Sequence, residues 1–180
     1  GVPIFFQTVI WAEFGTSANM ALSVLPALSV GVYEVLAEHG EKELVDYFAT
    51  NMASGKWSGT MCLTEPHAGT DLGMITTKAV PQEDGTYLVT GTKIFITYGE
   101  HDMTENIVHL VLAKTPDAPE GTRGISLFLV PKYMPSEWKS EGLSGVSEEL
   151  NTQHNGVTCS GSEEKMGVHA SPTCVMNFEQ

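Results

Sequence analysis

The chain has 180 residues, of which 42% are hydrophobic, and its 22 acidic and nine basic residues give a formal net charge of −13. The apolar fraction is sufficient for a folded core, which excludes a wholly disordered chain. With so few cations, a surface that binds nucleic acid or an anionic membrane is not expected, because both need clustered positive charge.

The cysteines, the polar clusters and the apolar runs of the sequence indicate the cellular compartment and exclude some kinds of site. Cys62, Cys159 and Cys174 show no paired spacing, which favours free thiols, a reducing compartment and a cytoplasmic location. The Glu-His-Asp run at 100–102 is predicted as a polar turn, since adjacent side chains diverge, and no metal site is expected. No apolar run reaches about 18 residues, so no membrane span is predicted. The chain begins with Gly-Val-Pro and no charged leader, which we interpret as an excised part of a longer protein.

Residues 4–55 show helical periodicity in apolar side chains. Three helices are predicted, separated by a break with capping residues at 15–19 and by the glycine stop at Gly40. Pro26 is predicted to kink or start part of the second helix, and Gly31 to allow close packing.

From Trp57 onward the periodicity changes to two. Strands are predicted near residues 61–63, 75–80, 87–97, 106–114, 124–130 and 175–178. An Asp-Gly pair predicts a hairpin between the second and third of these. Residues 131–164, rich in Ser, Glu, Gly and Asn, are predicted as a long irregular excursion. The fold class is therefore α+β, with a helical domain segment over 1–56 and an antiparallel barrel or sandwich over 57–180.

The most informative segment is residues 61–71, Met-Cys-Leu-Thr-Glu-Pro-His-Ala-Gly-Thr-Asp, a strand that ends in a small-residue loop. A second strand ends similarly at residues 93–97, Lys-Ile-Phe-Ile-Thr. Each end carries a threonine, Thr64 or Thr97, beside large apolar side chains, a combination that can hold a flat heterocycle with polar edges. The alternative is that threonine and phenylalanine are simply good strand residues. Lys93 is interpreted as a solvated side chain, with a phosphate contact as the alternative.

In this order the two motifs, Thr-Glu-Pro-x-Ala-Gly-Thr-Asp and Gly-x-Lys-x-Phe-Ile-Thr, resemble the acyl-CoA dehydrogenase family of flavoenzymes. The resemblance covers nearly the whole chain and implies FAD as cofactor and the family's middle β-barrel domain. The residues that it places at the cofactor are Met61, Leu63, Thr64, Thr70, Phe95, Ile96 and Thr97. It implies that the Thr97 hydroxyl approaches flavin N5 and that the Phe95 ring covers the flavin.

The resemblance also implies contacts with an acyl-CoA substrate. The residues that it places there are Thr70, at the CoA portion, and Ala27, Leu28 and Gly31, along the acyl pocket. Gly31 replaces a bulkier residue, which implies a roomier pocket. Phe95 replaces the commoner tryptophan and so keeps the apolar wall without an indole N–H. The segment 100–102 and the excursion resemble those of a subgroup of larger enzymes in the family, which includes 3-methylmercaptopropionyl-CoA dehydrogenases.

The reaction implied is α,β-dehydrogenation of an acyl-CoA thioester, in which a glutamate removes the α-proton and the β-hydrogen passes as hydride to flavin N5. None of Glu65, Glu100 and Glu179 matches the position of that base, so no catalytic residue is expected in this chain. The base is expected in a C-terminal helical domain that this chain lacks. The isolated chain is therefore predicted to be inactive and to bind FAD weakly.

The implied partners are an acyl-CoA, an electron acceptor such as an electron-transfer flavoprotein, and further copies of the full-length protein in a homo-oligomer. Two alternatives stay open. An acyl-CoA oxidase shares the fold but passes electrons to oxygen, and a non-catalytic β-barrel scaffold would keep the strand ends without the chemistry.

Overall fold

A computed structural model describes residues 3–135 and 152–179 of the chain. The helices are α1 Ile4–His39, α2 Lys42–Leu44 and α3 Thr50–Ala53, with a π-helical turn Val45–Ala49 between α2 and α3 and 3₁₀ turns at Leu72–Met74 and Thr122–Gly124. The strands are β1 Trp57–Cys62, β2 Lys78–Pro81, β3 Tyr87–Thr97, β4 Asn106–Lys114, β5 Ile125–Pro131, β6 Tyr133–Pro135, β7 Thr152–His154, β8 Val157–Ser162 and β9 Thr173–Glu179. The predicted α+β class, a helical segment followed by a curled sheet, is confirmed.

Helix α1 is interrupted once, at Asn19, whose dihedral angles are non-helical (φ −158°, ψ 95°). The Asn19 side chain accepts a hydrogen bond from the backbone N–H of Leu22 at 3.0 Å, so it caps the second half of the helix. The break predicted at 15–19 is therefore confirmed. Pro26 lies within helical backbone, so the interruption lies at Asn19 and not at the proline.

Strand β4 organises the sheet. It pairs in parallel with β1 along the whole length of β1 and antiparallel with β5. Its last residue, Lys114, pairs with Lys78 of β2, from which β3, β9 and β8 follow as antiparallel neighbours. Most strand pairs are antiparallel, as predicted, but the pairs that β4 makes with β1 and β2 are parallel. The sheet is therefore mixed, and in the described residues no pairing joins β5 to β8. The parallel pair arises because the β2–β3 hairpin lies between β1 and β4 in sequence, which makes their connection a crossover.

Two apolar cores lie on opposite faces of β1 and β4. The core enclosed by the sheet includes Val89, Ile96, Val111, Met176 and Phe178. The core beneath α1 includes Val32, Leu36, Phe48, Trp57 and Leu110. A Cβ on Gly59 of β1 would lie 2.7 Å from the Val32 side chain, so glycine is required for α1 to approach the sheet this closely. Strand β4 is consequently buried on both faces, as central parallel strands usually are.

Three strands fall within the range 131–164 that was predicted to be irregular. Strand β6 pairs with β7, and β8 pairs with β9. The prediction is wrong for these strands; most of β8 is exposed and polar, so its period-two pattern is weak. Residues 136–151 of the predicted excursion lie outside the described residues. The division into domains at residue 56 stays a prediction.

Helix α1 is apolar over most of its length. The segment Phe5–His39 is long and apolar enough to cross a membrane by length and composition, and only 11% of its most apolar window is buried. The sequence prediction of no membrane span is not decided by this finding, because the segment reaches that length only across the break at Asn19, which divides α1 into two helices. Core helices of soluble proteins and signal sequences pass the same test, so this property is weak evidence for a membrane.

Candidate functional site

The ends of β1 and β3 lie side by side, and the two motifs identified in the sequence meet there. The backbone N–H of Ile94 donates to the carbonyl oxygen of Thr64 at 2.8 Å. We refer to residues 61–64 and 94–97 as the paired strand ends. The half-buried side chains on the β1 side are Met61, Leu63 and Thr64.

A β-bulge interrupts β3 between Lys93 and Ile96, where its register against β9 shifts. Within the bulge, Phe95 has a φ of 61°, in the left-handed region that a bulky residue rarely adopts, and its ring is 57% exposed. Ile96 points the other way, into the sheet core, so any contact that it makes with a ligand would come from its backbone. An exposed aromatic ring on strained backbone is typical of a binding site.

The threonines of the predicted site have free hydrogen-bonding capacity. Within residues 3–135 and 152–179, the hydroxyls of Thr64, Thr70 and Thr97 have no hydrogen-bond partner. Thr64 and Thr97 are half-buried, and Thr70 is exposed. Hydroxyls that bond internally are those of Thr60, Thr76, Thr77, Thr86, Thr92 and Thr104. The paired strand ends therefore offer unsatisfied polar groups to the edge of a ligand.

The loop after β1 is short and closely tied to itself. Glu65 and Ala68 exchange backbone hydrogen bonds of 3.0 Å across the Pro66 corner. Asp71 caps the following 3₁₀ turn by accepting from the backbone N–H of Gly73 at 3.0 Å. A Cβ on Gly69 would meet nothing within 4 Å, so the loop surface beside Thr70 is open.

Glu65 and Lys93 form a buried ion pair beside the paired strand ends. The Lys93 Nζ donates to Glu65 Oε1 at 2.9 Å and to the carbonyl oxygen of Leu63 at 3.0 Å. The two side chains are 2% and 0% exposed, respectively. Both sequence interpretations of Lys93, a solvated side chain or a phosphate contact, are wrong, because its ammonium points into the sheet, where a carboxylate compensates the charge.

The Glu65 carboxylate is fully occupied by donors. Besides Lys93, it accepts hydrogen bonds from the backbone N–H and the hydroxyl of both Thr76 and Thr77. Burial raises the pKa of Glu65, but these hydrogen bonds outweigh it and hold the pKa at about 2. Burial lowers the pKa of Lys93, and Glu65 opposes that shift. The sequence contained one signal for this pair: Lys93 shares the inward face of β3 with Val89.

The α1 residues assigned to the acyl pocket lie largely at the surface of the described chain. Ala27 and Gly31 are exposed, and Leu28 is half-buried. A Cβ on Gly31 would meet nothing within 4 Å, so the predicted close packing there is wrong. A cavity of about 410 Å³ does lie between α1, α3 and β1, but Pro26, Val30 and other residues line it, and none of these three does.

The polar run at 100–102 forms internal contacts. The Nδ1 of His101 accepts from the backbone N–H of Met103 at 3.2 Å, so its Nε2–H faces the Ser58 hydroxyl at 3.1 Å. Glu100 forms an ion pair with Lys132. Among the residues that the structure describes, no three His, Cys, Asp or Glu side chains are grouped to hold a metal ion.

The sequence profile of the family described as "Acyl-CoA dehydrogenase, middle domain" matches residues 60–180. The chain belongs to the acyl-CoA dehydrogenase family. This acyl-CoA dehydrogenase chain is 48% identical over 167 residues to the 3-methylmercaptopropionyl-CoA dehydrogenase of Ruegeria pomeroyi, which covers 93% of this chain and 27% of that protein. The resemblance read from the two motifs is thereby confirmed.

Solved structures of acyl-CoA dehydrogenases share the fold. Butyryl-CoA dehydrogenase from Megasphaera elsdenii superposes with a TM-score of 0.65 at 25% identity, over 89% of this chain and 36% of that one. An acyl-CoA dehydrogenase from Bacillus anthracis, solved in complex with FAD, gives a TM-score of 0.56 at 26% identity, over 78% of this chain and 19% of that one. The chain spans about a quarter of the length of the curated relatives that it matches.

Proposed function

We propose that this chain supplies one wall of the FAD site in an acyl-CoA dehydrogenase that introduces an α,β double bond into an acyl-CoA thioester. The observation that carries the proposal is the arrangement at the paired strand ends. There the hydroxyls of Thr64 and Thr97, which have no hydrogen-bond partner among the described residues, accompany the exposed ring of Phe95, which is held in a strained backbone conformation. These are the groups that a flat, polar-edged ring needs: hydrogen-bonding groups at its edge and an apolar surface on one face.

Each residue is proposed to bind by its own chemistry. Phe95 covers one face of the flavin, and the Thr97 hydroxyl bonds near N5. Met61 and Leu63 pack against the rings, while Thr64 and the backbone of Ile96 serve the polar edge. Bound FAD would supply the acceptor for the hydride that leaves the β-carbon. The solved FAD complex of a family member supports FAD as this chain's cofactor.

Substrate contacts are proposed on the loop after β1 and on α1. The exposed hydroxyl of Thr70, next to the open surface at Gly69, is available to the CoA portion of the thioester. Ala27, Leu28 and Gly31 remain the proposed acyl-pocket residues on α1. The 48% identity to a 3-methylmercaptopropionyl-CoA dehydrogenase supports a short thioether-containing acyl chain as the first substrate to test.

The described carboxylates support the proposal that the catalytic base lies outside this chain. Glu65 accepts five hydrogen bonds and has a pKa of about 2, so it is unavailable to take a proton from carbon. Glu100 is paired with Lys132. We therefore propose that the 180-residue chain alone is inactive and binds FAD weakly. A cytoplasmic homo-oligomer that passes electrons to an electron-transfer flavoprotein completes the proposal.

The test uses the full-length protein that contains this chain. Its visible spectrum is recorded for bound flavin, and bleaching is then followed with 3-methylmercaptopropionyl-CoA and with short-, medium- and long-chain acyl-CoAs under anaerobic conditions. Bleaching by at least one thioester, without peroxide formation in air, is expected. Substantial peroxide formation would instead assign an oxidase. A protein that binds no flavin would refute the proposal and favour the scaffold alternative.

A further inference from the structure

We propose that the buried Glu65–Lys93 pair is the positioning element of the flavin site, fixing the separation and orientation of the paired strand ends. This inference rests on the proposed function and adds to it a role for two residues that do not reach the surface. They act through the residues on either side of them, so both are positioning residues and neither is catalytic.

The contacts of Lys93 show how one side chain reaches both strand ends. Its backbone belongs to β3, two residues before Phe95. Its Nζ donates at 3.0 Å to the carbonyl oxygen of Leu63, on the other strand end, and at 2.9 Å to Glu65. The only described backbone hydrogen bond outside the regular ladders that joins the same two segments is the one from Ile94 N–H to Thr64 at 2.8 Å. Removing the ammonium therefore leaves that backbone bond as the one described hydrogen bond between the two segments.

The contacts of Glu65 extend this link to a third segment. Its two carboxylate oxygens accept from Thr76 at 2.7 and 2.9 Å and from the backbone N–H of Thr77 at 3.0 Å, just before β2. Lys93 binds one of the same oxygens. One carboxylate thus ties together the end of β1, the start of β2 and the β3 bulge, which together carry every proposed flavin contact except Thr70.

The energetics favour a positional role over a purely stabilising one. Replacing a buried ion pair by apolar residues of similar volume is often neutral or stabilising, because the pair has lost its hydration. Charge-assisted hydrogen bonds, in contrast, are short and directional, so they restrict geometry more than apolar packing does. A junction that must hold two strand ends beside a rigid ring needs this restriction, since small displacements of positioning groups weaken a site strongly.

The test uses the full-length flavoprotein with the paired neutral substitutions Glu65→Gln and Lys93→Met. Gln keeps one oxygen for the threonine donors, and the double change leaves no unpaired buried charge, so it is expected to disturb folding less than either single change. The matched control is Val157→Ala, a 1% exposed residue of the same core on β8, a strand that pairs with β9 and not with β1 or β3. Three quantities are measured: the midpoint of thermal unfolding, the FAD dissociation constant of the apoprotein and the visible spectrum of bound FAD.

The double variant is expected to bind FAD at least tenfold more weakly than wild type and to show a shifted or less resolved flavin band, while the control, at equal or greater loss of melting temperature, keeps both properties. Wild-type affinity and spectrum in the double variant would overturn the inference. So would weaker binding with an unchanged spectrum, or an equal effect in the control, since either indicates a general loss of stability. If the wild-type protein binds no FAD, the proposed function itself fails.

Discussion

Replacing Phe95 by glycine separates what this residue does for folding from what it does for binding. In most proteins, truncating a phenylalanine costs several kcal/mol, because its ring is buried. Here the ring is 57% exposed and the backbone φ is 61°. The substitution removes a strained conformation and little buried surface.

The expected change in unfolding free energy is close to zero. Releasing a bulky residue from the left-handed region gains about 1–2 kcal/mol. Loss of the buried part of the ring, less than half of its surface, costs about 1 kcal/mol on a scale of roughly 1.5–3 kcal/mol for full burial. The greater freedom of glycine in the unfolded chain costs a further ~0.5–1 kcal/mol. The sum lies within about 1 kcal/mol of zero, whereas we expect FAD affinity to fall about tenfold because the apolar wall is lost.

Urea unfolding and flavin titration of the full-length protein check both numbers. Phe178→Ala is the matched control, since that ring is 1% exposed in the sheet core, and its loss is expected to cost ~3–5 kcal/mol. If Phe95→Gly costs 3 kcal/mol or more, the ring is a structural element and the argument from its exposure is refuted. If FAD affinity is unchanged, Phe95 does not contact the flavin.

Three further predictions concern single residues. Thr97→Val is expected to weaken FAD binding roughly three- to tenfold with little change in stability. The control is Thr92→Val, which should leave the affinity unchanged because the Thr92 hydroxyl donates to a neighbouring strand. Equal affinities in the two variants would contradict the assigned contact. Gly59→Ala should cost ~1–3 kcal/mol because its Cβ would overlap α1, whereas Gly69→Ala, in open space, should be neutral in urea unfolding. Because the folded pKa of Glu65 is lowered to about 2, its contribution of about 3 kcal/mol is present above pH ~4.5 and lost as the pH falls toward 2. Unfolding followed from pH 6 to pH 3 should show this loss, and an undiminished loss in the double variant Glu65→Gln/Lys93→Met would contradict it.

The local patterns of the sequence predicted most of the elements and the meeting of the two motifs. Strand β4 follows from its continuous run of apolar and β-branched residues, and the hairpin follows from the Asp-Gly turn; both signals depend on neighbouring residues alone. The break in α1 followed from small capping residues around Asn19. The family resemblance, which rests on the spacing of two short motifs, also placed Thr64 and Thr97 on strand ends that the structure brings together.

Long-range features could not be predicted in the same way. The parallel pairing of β1 with β4 depends on which strands meet in space. The sequence pattern of each strand is the same whether its partner runs parallel or antiparallel, so the pattern does not predict the direction. The burial of Lys93 depends on a carboxylate 28 residues earlier in the chain. Gly31 lies on an open surface of α1. Whether another element packs there cannot be predicted from the periodicity of the helix sequence.

The parallel β1–β4 ladder also limits when the chain can acquire its ligand during synthesis. Its partner residues are about 50 positions apart, and the hairpin that completes the pocket wall lies between them. Non-local pairings of this kind close slowly, because a long loop must be ordered before any contact rewards it. A ribosome-bound nascent chain would therefore have to expose β4 before the wall exists, and cofactor loading is expected late, after the sheet has assembled.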